Sequence, residues 1–202
     1  MSSENIPSEN AHSENTASEP LRLRALAHPA RLDLLYLLRE EGEITATAAA
    51  ERLGLSAKTC SYHLGLLGKY GLAEETGGGR GRARPWRLVP QGIGYTPSAG
   101  DEPAEAETQD AFARTVLDRD ARIVRTFIDR RHRLPDAWRG RSAMSSNPLR
   151  LTAEQLAGLR DDLAGVLERY LRLSSDPAPG AVPVHAAVYA VLSDVDAVEE
   201  DG

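Results

Sequence analysis

Residues 45–72, TATAAAERLGLSAKTCSYHLGLLGKYGL, constrain this chain more than any other stretch. They read as two short helices joined by a tight turn. Thr45 is placed to cap the first helix, because its side-chain oxygen satisfies an amide that the first turn leaves without a partner. That helix runs through Ala48, Ala49, Ala50 and Leu53. Gly54 stands where it must stop, since glycine adopts the left-handed conformation that closes a helix at little cost. Ser56 then caps a second helix. On it Cys60, Leu64 and Leu67 recur at i, i+4 and i+7 and share one buried face. Ala57, Lys58, Ser61, Tyr62 and Gly65 fall away from that face.

One helix that packs, followed by one that presents small and polar side chains, is the layout of a helix-turn-helix, whose second helix enters a DNA groove. The recognition helix spans 56–70 on this reading. Upstream, Leu23, Leu26, Leu32, Leu35 and Leu38 give an apolar pattern interrupted at His28-Pro29. Pro29 suits the first turn of a new helix, so a short helix, a break at His28 and a second helix to Glu40 are expected. Ile44 is expected to make a single strand contact. Downstream, residues 72–76 and 85–89 form a candidate β-hairpin. Its tip, 77–84 (GGGRGRAR), carries Arg80, Arg82 and Arg84 with no acid among them. Glycines let such a loop approach DNA closely, and guanidinium groups pair with phosphate or enter the minor groove. No Lys-Ser or Lys-Thr follows the glycines, so they are not a nucleotide cradle.

The order of these motifs resembles the ArsR-like winged-helix regulators. ALAHPARLDLLYLL (25–38) is similar to that family's opening helices. Ala50, LGLS (53–56) and SYHLGLL (61–67) are similar to its helix-turn-helix, and KYGLAEE (69–75) to the entry of its wing. The resemblance covers about 21–89, under half of the chain. It implies a DNA-binding regulator, more often a repressor than an activator, that dimerises through a helix after the wing.

Charge supports the reading. The net charge of −6 argues against indiscriminate coating of nucleic acid. Residues 21–95, however, hold eleven Lys and Arg against seven Asp and Glu, while the first 20 residues hold four Glu and no base. The one basic region is therefore the one with the helix-turn-helix.

Residues 1–20 repeat Ser-Glu-Asn with little apolar content and are expected to form a solubilising tail. The winged domain occupies 21–95, and the Gly-, Pro- and acid-rich stretch that follows gives a linker at 96–103. Residues 104–197 form a dimerisation or effector region. In it a long helix at 104–134 carries Phe112, Val116, Ile123 and Phe127 on one side, a stripe that packs on a partner helix, on its own subunit's core, or on both. Thr152 and Gln155 form a capping box for a second helix reaching Arg172. Residues 182–192 are apolar and β-rich, and are expected to form a strand paired with 149–151. Residues 198–202 fray. The fold class is thus mainly α with a small β wing: a winged helix-turn-helix domain followed by a helical α+β dimerisation or sensor region.

A single cysteine, Cys60, excludes an internal disulfide and a thiol-only metal cage. Asp129 and His132 have no second such pair, so neither a metal nor another cofactor is expected. Enzymatic signatures are absent: no G-x-S-x-G, H-E-x-x-H or P-loop. No run of about 18 apolar residues exists and the N-terminus lacks an apolar signal core, so a cytoplasmic protein is expected. The expected partners are double-stranded DNA, a second copy of the chain and an unidentified small-molecule effector. Lys58, Ser61 and Tyr62 would face the major groove, with Ala57 and Gly65 allowing close approach. Ser56, Thr59 and His63 would lie nearer phosphate, and Arg80, Arg82 and Arg84 would be wing contacts. The alternative is a winged-helix docking module without DNA readout.

Overall fold

The structure, a computed structural model, describes residues 19–77, 84–89 and 103–195. The helices are α1 (Glu19–Leu26), α2 (Pro29–Glu41), α3 (Ala46–Leu53), α4 (Ala57–Lys69), α5 (Pro103–Arg130) and α6 (Ala153–Ser174). The strands are β1 (Glu43–Thr45), β2 (Ala73–Glu75) and β3 (Pro85–Leu88), and two single 3-10 turns follow α5 at Arg131–Arg133 and Asp136–Trp138. This is the mainly helical architecture with a small sheet that the sequence implies. The chain divides into two compact units, Met1–Val124 and Arg125–Gly202.

In the first unit the break between α1 and α2 falls at His28, whose Nδ1 accepts a hydrogen bond from the Ala30 amide at 3.2 Å. Pro29, at the first turn of α2, has no amide proton to satisfy there. Leu26, Leu32, Leu34 and Leu38 are fully buried, and Leu64, Leu67 and Cys60 of α4 close over them. The strand order is β1-β3-β2, antiparallel throughout. Ile44 opposes Trp86, Glu74 opposes Arg87 and Glu75 opposes Trp86. The hairpin β2–β3 is the expected one, and β1 extends the expected contact at Ile44 into a third strand.

α5 does not belong wholly to the C-terminal region. Phe112 is buried in the core of the first unit, and Val116 packs against it. Asp33 of α2 accepts hydrogen bonds from Arg119 Nε (3.2 Å) and from Arg122 Nη2 (2.8 and 2.9 Å). The Arg119 guanidinium also lies 3.7 Å from the centre of the Tyr36 ring. Such a stacked cation keeps its planar face on a π-system while its edge donates to the carboxylate.

In the second unit α6 starts at the expected capping box: Gln155 N–H donates to Thr152 Oγ1 and Thr152 N–H to Gln155 Oε1. None of its residues is buried. The expected strand pairing between 149–151 and 182–192 is not formed. Neither segment joins a sheet. Alternating apolar residues favour an extended chain, whereas a ladder also needs a neighbour in register, which these segments do not supply to each other.

Candidate nucleic-acid interface

α3 and α4 meet through a turn built as the sequence requires. The Ala48 amide donates to Thr45 Oγ1 at 3.2 Å, and Gly54 sits in the left-handed region at φ 67°. The Thr59 amide donates to Ser56 Oγ at 3.0 Å, and the two side-chain hydroxyls lie 2.7 Å apart. These caps hold the first turn of α4 rigid, with the helix anchored below by Cys60, Leu64 and Leu67. Burial raises the Cys60 thiol pKa, in keeping with a small apolar core residue rather than a reactive thiol.

Ala57, Lys58, Ser61, Tyr62 and Gly65 form one exposed face of α4, with Tyr62 63% exposed. Nothing lies within 4 Å of a Cβ built at Gly65, so that part of the face is open. Gly68 is different: a Cβ there would come within 2.9 Å of the Trp86 ring. Glycine at this point lets α4 lie directly against β3 and sets the helix relative to the hairpin.

Among the residues expected nearer phosphate, Ser56 is exposed and Thr59 half-buried. His63 is only 8% exposed. Its ring is 4.7 Å from that of His28, and Tyr62 meets it edge-on. His63 therefore lies beneath the exposed face and supports it. Its Nδ1 has no hydrogen-bond partner among the described residues. Burial, and next the facing His28 and Arg31, hold its pKa below the ordinary imidazole value; burial and then Arg31 do the same to His28.

At the hairpin, Arg84 Nη1 donates to Glu75 Oε2 at 2.8 Å and Arg87 Nε to Glu74 Oε1 at 2.7 Å. Arg84 thus stands exposed at the wing's edge with its guanidinium on a carboxylate of the adjoining strand. Arg80 and Arg82 lie outside the described residues. Of the apolar residues expected on the dimer face of α5, Phe112 is spent on the core, while Val116, Ile123 and Phe127 are half-buried.

Sequence reasoning missed the Asp33–Arg119–Arg122 clamp and the stacked histidines. The clamp spans 86 residues between Asp33 and Arg119, and no local pattern signals it. Pro29 after His28 signals a helix start, but not what packs on the imidazole. In the second unit a cleft of about 440 Å³ is lined by Phe127, Arg131, His132, Trp138 and Met144, among others. No group of three or more His, Cys, Asp or Glu among the described residues could hold a metal, and no described helix is long and apolar enough to cross a membrane.

The fold and the exposed α4 face together define a winged helix-turn-helix domain. Residues 26–76 match a family model described as a helix-turn-helix domain, from the end of α1 to just past β2. Among solved structures, reduced HlyU from Vibrio cholerae is 23% identical with a TM-score of 0.30, over 43% of this chain and 77% of that one. A possible transcriptional regulatory protein from Mycobacterium bovis, solved as the fragment 1–100, is 27% identical with a TM-score of 0.31, over 50% of this chain and 89% of that one. No curated protein matches the chain.

Proposed function

We propose that this chain is a sequence-specific DNA-binding transcription regulator of the ArsR-like kind, acting as a homodimeric repressor on a palindromic site. The observation that carries the reading is the α4 face: Lys58, Ser61 and Tyr62 project from a helix capped, anchored and flanked by small residues, next to a hairpin whose loop holds three arginines. Small residues at Ala57 and Gly65 admit a major-groove edge closely, and a lysine, a hydroxyl and a phenol can bond to base edges or phosphate there. Ser56 and Thr59 reach phosphate at the start of α4, where the first amides favour anions. Arg80, Arg82 and Arg84 contact the flanking backbone or minor groove, Arg84 by exchanging Glu75 for phosphate.

Effector binding is assigned to the second unit, where the cleft beside Trp138 falls within the ligand-sized range of roughly 300–1,000 Å³. Half-buried Ile123 and Phe127 on α5 remain available to a partner subunit.

The test is duplex binding at several salt concentrations. Neutralising phosphates releases counterions, so log K should fall linearly with log salt, by about 0.9 per contact. Arg82→Ala or Arg84→Ala should weaken binding to every duplex and lower that slope by about 1. Lys58→Ala should instead relax preference at particular base pairs. Equal effects of both kinds of substitution on every sequence would overturn these roles. Absence of salt-dependent binding would favour a docking module.

A further inference from the structure

The cleft in the second unit is framed by the two 3-10 turns that follow α5. The Leu134 amide donates to Arg131 O at 3.2 Å, and the Trp138 amide donates to Pro135 O at 2.9 Å. The Arg139 amide donates to Asp136 O at 3.2 Å, and Gly140 follows in the left-handed region at φ 70°, which glycine enters at little cost. Beyond that turn, Ser142 and Met144 line the same cleft. Two kinds of group meet there. Leu134, Trp138 and Met144 are apolar, and Trp138 is 40% exposed, so its indole remains accessible. Arg131 and Arg139 are cationic, and none of the nine lining residues is Asp or Glu. Arg139 is held in place: its Nε donates to Leu134 O at 3.0 Å, and its Nη1 pairs with Asp136 Oδ1 at 2.7 Å. The Arg131 side chain has no hydrogen-bond or ion-pair partner among the described residues. Residues 130–141 hold five arginines against one aspartate.

We propose that this cleft binds a small organic anion with a planar apolar body, an aromatic carboxylate being the simplest member of the class. The inference rests on the effector role given to this cleft and names the chemistry of its ligand; it does not rest on duplex recognition. Apolar walls alone would accept any planar molecule that fits, and the guanidinium groups decide among them. A carboxylate accepts two parallel N–H bonds from one guanidinium and is attracted by the other. An ammonium of the same shape would meet two positive charges and no carboxylate. A neutral ligand gains the walls alone. The ring of the ligand would cover the Trp138 indole, where aromatic contact adds to the area removed from water. A nucleic-acid backbone would use the arginines but not an apolar concavity, so the walls favour the small molecule.

The test titrates the full chain, by calorimetry, with three probes of one shape: 1-naphthoate, neutral 1-naphthamide and cationic 1-naphthylmethylamine. Naphthoate should bind about tenfold tighter than the amide, the amount that one charge-assisted hydrogen bond at a solvated site supplies, and the amine should bind weakest. Arg131→Gln removes no side-chain contact within the described residues. It should abolish most of the preference for naphthoate and leave the affinity for the amide unchanged, and Arg131→Lys should restore part of the preference. Trp138→Ala should weaken acid and amide alike; if that variant fails to fold, Arg131→Gln decides. Equal binding of acid and amide, a preference unchanged by Arg131→Gln, or no binding of millimolar naphthoate would overturn the proposal. So would a loss of duplex affinity in Arg131→Gln with naphthoate binding intact, which would assign the arginine to phosphate. Duplex affinity is read on the same samples. Naphthoate bound with no change in duplex affinity would count against the effector role and leave the anion site standing, so the two readings fail separately.

Discussion

Asp33 takes hydrogen bonds from both Arg119 and Arg122, and the Arg119 side chain is only 11% exposed. Removing the carboxylate would strand a largely desolvated guanidinium between α2 and α5. Breaking a buried pair on one side costs up to about 3–5 kcal/mol, and partial solvent access at Arg122 brings the expected loss for Asp33→Ala to about 2–3 kcal/mol. Urea unfolding measures it directly, and a loss under about 0.5 kcal/mol, the range of ordinary surface changes, would show that the clamp is incidental. The histidine pair makes a different prediction. Both imidazoles are held below their ordinary pKa of about 6.5, so the unfolded chain takes up protons that the folded chain refuses. Stability is therefore complete above about pH 6.5 and declines as pH falls through the window between the unfolded and folded pKa values. Protonation at His28 Nδ1 would also remove the acceptor that caps α2. Unfolding midpoints of His63→Gln between about pH 7 and 5 should vary less than those of the parent chain. An identical pH dependence would mean that the pair does not set it.

At the scale of elements, the turn between α3 and α4 was the most legible part of the chain. Thr45, Gly54 and Ser56 act through hydrogen bonds or backbone conformation within three residues, so their roles can be read without the tertiary structure. Gly54→Ala forces a side chain into the left-handed region and should cost about 1 kcal/mol. Ser56→Ala removes a cap and should cost about 1 kcal/mol as well, with a lower thermal midpoint as the readout. No shift in either variant would mean that the turn is held from elsewhere. α5 was legible as a helix but not in its attachments. An apolar stripe shows that something covers it, not whether that is the core of the same chain or another subunit. Segment 181–192 fails for a related reason: its alternation specifies an extended chain, while pairing depends on a partner that local sequence does not identify. The site divides in the same way. Lys58, Ser61 and Tyr62 were placed by helical period, whereas the burial of His63 depends on α1–α2 folding back over it.

For the whole molecule, charge and fold point to the same stretch of the chain. The basic balance of residues 21–95 lies in the same region as the exposed α4 face and the wing, within a chain that is acidic overall. That arrangement favours local engagement of a polyanion over indiscriminate coating. The most direct test is selection of sequences from a random duplex library by the purified full chain at two salt concentrations. The account expects enrichment of a palindrome, with retention falling steeply between the two salts. Retention without enrichment, or none at low salt, would contradict sequence-specific DNA recognition by α4 and the wing.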